Sequence, residues 1–213
     1  MNGLFSPDSR FMRYMNRLAD LMLLNLMFLL TSIPIVTIGA SLTALYSVCF
    51  RLGTVREGGT VRDYFRAFRE NFGEATKLWL LALLLGGSTL ACALVFYAMS
   101  GWVHYLYFLF AVLFAVAVLM FSYAFPLLSR FENGVRATLK NGLLLSVGYL
   151  PRSLVIGALN IFPFFLMVTD FYTFLKAAFL WVALWFAAAA YAGALLLKKV
   201  FAPYLKEEEE ETV

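Results

Sequence analysis

The stretch from Leu18 to Phe50 holds a single charged residue, Asp20, and is interrupted at Ser32-Ile33-Pro34. One crossing of a bilayer takes ~20 apolar residues, so this stretch is long for one span and short for two. Its flanks are basic on both sides, with Arg10, Arg13 and Arg17 before it and Arg51 and Arg56 after it. Lys and Arg collect on the cytoplasmic side of a membrane, so a single crossing would leave one cluster outside. A hairpin keeps both inside. Pro34 supplies its turn, because proline lacks an N–H and clashes with the preceding helical turn. Each arm then reaches ~24 Å at 1.5 Å per residue, and more if the flanking arginines snorkel. A re-entrant loop that turns inside the membrane is the other arrangement these residues allow.

The rest of the chain fits a membrane setting. Of its 213 residues 62% are hydrophobic and 14% charged, with mean hydropathy +0.81, outside the range of soluble domains. A net charge of +4 could point to nucleic acid. The basic residues flank apolar spans instead, and of the Lys and Arg only Lys176 falls beside an expected outer turn. No nucleic-acid partner is therefore predicted, and the lipid bilayer is. No cleavable signal sequence is expected before the first span. Cys49 and Cys92 lie inside apolar segments, where thiols act as small hydrophobes.

The fold predicted is all-α, a polytopic transmembrane helix bundle with cytoplasmic amphipathic helices. Residues 1–206 form one integral membrane domain, with membrane segments at about 18–33, 36–52, 78–100, 103–128, 151–168 and 173–197. Ser6-Pro7-Asp8 starts the first helix, with a cap, a first-turn proline and an acid at the positive end of the dipole. Thr60 and Asp63 resemble a capping box. The helix over 61–72 places Val61, Tyr64, Phe65, Phe68 and Phe72 on one side and Arg62, Arg66 and Arg69 on the other, as for a helix lying on a membrane. A surface helix before a membrane hairpin recurs at about 7–57, 60–129 and 134–199, which suggests a repeat of organisation. Residues 207–213 form an acidic tail, read as disordered and cytoplasmic. Both termini are expected inside.

Three groups of residues are candidates for function. The first is the turn, with Pro34, Thr37, Gly39 and Ser41. A helix end in lipid needs hydroxyls to satisfy its free backbone groups, and the same hydroxyls could serve recognition or a solute. The second is the basic face Arg62, Arg66 and Arg69, suited to anionic lipid or to an acidic partner. The third is the set of intramembrane polar residues Asp20, Asn25 and Asn160, which mark pathways in many membrane proteins. Asp20 has Arg17 and Asn16 one turn back, so a local pair is expected. His104 sits at an outer turn, in the position of an interfacial aromatic. No residues are assigned to catalysis, a cofactor or a metal, since no nucleophile with a base and no cluster of metal ligands stands out.

Several short stretches resemble the YesL-like family of bacterial membrane proteins. Near the N-terminus these are Gly3-Leu4-Phe5 with Asp8 and Ser9, then Pro34-Ile35-Val36-Thr37-Ile38-Gly39-Ala40-Ser41 and Thr43-Ala44-Leu45-Tyr46. Further on they are Phe65, Phe68 and Asn71-Phe72, then Tyr123 with Pro126-Leu127-Leu128, Leu139-Lys140-Asn141 and Leu150-Pro151. That family is a domain of unknown function whose members often sit beside genes for carbohydrate importers and polysaccharide breakdown. The resemblance implies a role near sugar uptake and a sugar import complex as partner. It carries no catalytic or binding residues to transfer. The expectation is a non-enzymatic accessory or regulatory protein in carbohydrate uptake, the alternative a small-solute permease. A permease needs a polar path at mid-membrane, and the spans offer few polar residues.

Overall fold

A computed structural model describes residues 10–52, 59–131 and 134–211, without the side chains of Arg10, Pro203 and 205–211. Every regular element among them is helical. The expected start at Ser6-Pro7-Asp8 and the basic residue Arg56 lie outside the described residues.

Helix α1 (Arg10–Thr31) ends where Pro34 cannot continue it. Thr31 Oγ1 bonds back to the Met27 carbonyl at 2.9 Å. A 3₁₀ turn, Ile35–Thr37, then leads into α2 (Ile38–Arg51). α2 is the centre of the molecule. From Gly39 to Phe50 every side chain but Leu42 is buried, against α3, α4 and α9. Small residues make this possible. A Cβ on Gly39 would overlap the Ala75 carbonyl and stand 2.6 Å from Trp79 Cβ, so two backbones meet there.

Helix α3 (Thr60–Ala98) has 39 residues, ~58 Å at 1.5 Å per residue. This corrects the expectation of a separate surface helix over 61–72 followed by a span. No proline interrupts the segment, and the lone Gly73 costs a helix only ~1 kcal/mol. The expected faces shift as well. Tyr64 is buried and Phe68 half-buried, whereas Val61, Phe65 and Phe72 stay exposed. Nor does Thr60 cap α3: Gly59 occupies the cap position, in extended conformation.

Gly101, at φ +80°, turns the chain into α4 (Leu106–Leu128). α3 and α4 run antiparallel: Phe96 stacks on Phe110 at 5.2 Å near one end, and Trp79 meets Phe125 at 6.3 Å near the other. α5 (Val135–Gly148) lies on α4, and the chain breaks at Tyr149 before α6 (Leu150–Thr169), whose first turn holds Pro151. The last span is less regular than expected. It comprises α7 (Phe171–Lys176), α8 (Ala178–Leu180), a π-helical turn at Trp181–Trp185 and α9 (Phe186–Glu211). The backbone of 207–211 is thus helical where the sequence reading has a disordered tail.

Among the described residues, four helical stretches are long and apolar enough to cross a membrane: Thr60–Ala98, Trp102–Leu128, Leu150–Thr169 and Ala178–Ala202. The expected segments at 18–33 and 36–52 are not among them. The apolar part of α1 begins only after Arg13, Arg17 and Asp20, and α2 has 14 residues, ~21 Å. Trp79 Nε1 donates to the Ile35 carbonyl at 2.7 Å. The α1–α2 turn therefore meets the α3–α4 pair at the end carrying Lys77 and Arg130. From Trp79 to Ala98, ~28 Å of helix continues beyond it.

Candidate functional site

The candidate turn is built from hydroxyls that answer backbone carbonyls. Thr37 Oγ1 lies 2.5 Å from the Thr31 carbonyl and 2.7 Å from that of Pro34, one proton serving both. Ser41 Oγ donates to the Thr37 carbonyl at 3.0 Å, and Thr43 Oγ1 to the Gly39 carbonyl at 2.9 Å. Pro34 itself is exposed, as are Ile33, Ile35 and Val36. Each of these hydroxyls bonds a carbonyl of the turn or of the helix ends beside it. Ser32 Oγ is buried without a partner.

The structure also brings together groups that are far apart in sequence. Tyr64 is fully buried, and its hydroxyl meets Thr31 Oγ1 at 2.7 Å. Asn25 is fully buried as well. Its Nδ2 donates to the Trp181 carbonyl at 3.0 Å and the Val182 carbonyl at 2.6 Å, and its Oδ1 accepts from Ala187 N at 3.0 Å. A π turn leaves backbone groups out of the ordinary i to i−4 pattern, and the single amide of Asn25 answers three of them. Asn160 Nδ2 donates to Ser122 Oγ at 3.3 Å. Ser153 Oγ bonds the Tyr123 hydroxyl at 3.0 Å and the Ser146 carbonyl at 2.8 Å. Of the predicted intramembrane residues, then, Asn25 and Asn160 each join two helices.

Asp20 reaches across to a second helix. Thr60 Oγ1 donates to its Oδ1 at 2.5 Å, which ties α1 to the start of α3. The guanidinium of Arg17 lies over the Tyr191 ring, 5.8 Å from its centre. On the basic face Arg66 pairs with Asp63 at 3.0 Å, and Arg62 and Arg69 stand exposed beside it. His104 Nδ1 is 3.1 Å from the Tyr97 carbonyl, among the rings of Tyr97, Tyr105 and Tyr107. Outside the spans, Asp170 Oδ1 accepts from Thr173 N at 3.1 Å and its Oδ2 from Thr173 Oγ1 at 2.5 Å, which holds the carboxyl below the usual range.

The buried tyrosines 46, 64 and 123 and the π turn were not among the three groups of candidates taken from the sequence. A tyrosine inside an apolar span is a usable signal, since its hydroxyl needs a partner when buried. No sequence signal marks the π turn.

No curated protein and no solved structure matches the chain. Residues 21–92, from within α1 to within the apolar half of α3, match a family described as "Protein of unknown function, DUF624", and over that region the chain is similar to it.

Proposed function

We propose that this multi-pass membrane protein is not an enzyme and acts as an accessory or regulatory partner of a transporter. The observation that carries this reading is the commitment of the polar groups on its apolar helices and the turn between α1 and α2. Asn25, Thr37, Ser41, Tyr64, Ser122, Tyr123, Ser153 and Asn160 all hydrogen-bond within the chain, which leaves few groups to line a solute path. Membership of the YesL-like family, and with it a place in carbohydrate uptake beside a sugar import complex, belongs to the same proposal. It rests on the resemblances at Pro34–Ser41 and Thr43–Tyr46. The protein sits in the cell membrane with both termini in the cytoplasm, as the positive flanks suggest.

The test is affinity purification of the full chain from membranes, with identification of what copurifies, beside uptake of labelled sugars into vesicles holding the purified protein alone. Co-purification of importer subunits with no uptake by the protein alone supports the proposal. Saturable uptake by the protein alone would overturn it in favour of a permease.

A further inference from the structure

The exposed face of the first half of α3 continues the exposed apolar face of its second half. At 100° per residue, Val61, Phe65 and Phe72 point the same way as Leu83, Leu90 and Leu94 in the apolar half, and all six are exposed. Directly beside this strip, on one flank, stand Arg62 and Arg69, two turns apart. They have no carboxylate partner among the described residues, whereas Arg66 is held by Asp63. Arg62, Phe65, Arg66, Arg69 and Glu70 line a shallow groove, with Glu70 on the side away from the apolar strip.

This end of α3 is also tied, through α1, to a segment long and apolar enough to span a membrane. Thr60 bonds Asp20 and Tyr64 meets Thr31, so its first turns lie against α1. α1 exposes Met22, Leu23, Leu26 and Leu30, and its Asn25 grips the spanning segment at Trp181–Ala187. An apolar strip bordered by free arginines at such a place matches the boundary between acyl chains and phosphates.

We propose that Arg62 and Arg69, with Phe65 between them, form a binding site for the phosphate of an anionic phospholipid. Phe65 enters the acyl boundary and the two guanidinium groups take the headgroup oxygens. The site is selective for an anionic lipid over a zwitterionic one.

The full chain carrying Phe65→Trp, reconstituted in vesicles of phosphatidylcholine and phosphatidylglycerol, tests this. The fluorescence added by the new tryptophan, after subtraction of the parent protein, is read with either lipid brominated. Brominated lipid of both kinds should quench it, and brominated phosphatidylglycerol should do so several-fold more at equal mole fraction. Arg62→Gln with Arg69→Gln should keep the quenching and remove the headgroup preference. Arg66→Gln should leave the preference in place. Equal quenching by the two lipids would overturn the proposal, and that measurement needs no arginine variant to fold. Quenching by aqueous iodide alone would overturn it too. So would a response to soluble polyglutamate without headgroup preference, which would make the face a site for an acidic protein.

Discussion

Asn25→Leu keeps the branching at Cγ, adds volume, and removes three hydrogen bonds in one step. Each bond is worth ~1 kcal/mol, and orphaned carbonyls in a dry interior add to the loss. The variant should lose ~2–4 kcal/mol, read as a lower midpoint of thermal unfolding in detergent. An unchanged midpoint would mean that the Asn25 bonds do not hold the π turn. Thr37→Val should lower stability by ~1–2 kcal/mol, the scale of a lost cap, and leave partner binding intact once folded. If it folds with parental stability and loses binding, the turn is a recognition site after all. At Asp170 the expected effect is one of pH. Its folded pKa lies below the ordinary value, so the stabilisation is complete above the unfolded value. It is lost as pH falls through the folded one. Amide exchange at Thr173 should quicken over that acid window. The polarity of Asn25 in an apolar run was plain in the sequence. Its partners were not, because they lie 156 to 162 positions away and no local pattern encodes such a pairing.

Among the elements, α3 separates two readings of the same residues. Charge and aromatic patterning divided it near Lys77, yet patterning reports surroundings and not continuity. The backbone has no reason to break there. Gly73 has open space around it, with nothing within 4 Å of an added Cβ. Gly73→Ala should therefore stabilise the protein by ~0.5–1 kcal/mol, as at any exposed helix interior. A neutral or negative result in chemical unfolding would restore the break. The contrast with α5 and α6 is instructive. There Pro151 lies in the first turn of α6, and the break at Tyr149 falls just before the segment expected from about 151. The proposed repeat thus describes charge and hydropathy better than it describes helix boundaries, since one unit is joined where the next is cut.

For the molecule as a whole, the all-α bundle and its long apolar helices were legible from hydropathy. The depth of the first helix pair was not. Composition left a full hairpin and a re-entrant loop both open, and the contact that bears on them, Ile35 with Trp79, is tertiary. Single cysteines test the consequence in a chain whose Cys49 and Cys92 are replaced by alanine. Ser100→Cys should be labelled by an impermeant reagent added to intact cells, and Thr212→Cys only after permeabilisation. Ile33→Cys, at the exposed tip of the turn, should stay unlabelled from outside, because ~28 Å of α3 lies between Trp79 and the far end. Labelling of Ile33→Cys in intact cells would establish the full hairpin.

The unbroken length of α3 also has a mechanical consequence. An uninterrupted helix behaves as a lever, with one arm among lipid tails and the other running back to Thr60. A tilt of ~5° about Leu78 would carry Thr60, ~27 Å along the helix axis, sideways by ~2 Å. That stroke would open a contact such as the 2.5 Å bond from Thr60 to Asp20. Bilayer thickness sets the tilt of long spans, so the joint between α1 and α3 stands at the end of a gauge for the membrane around it.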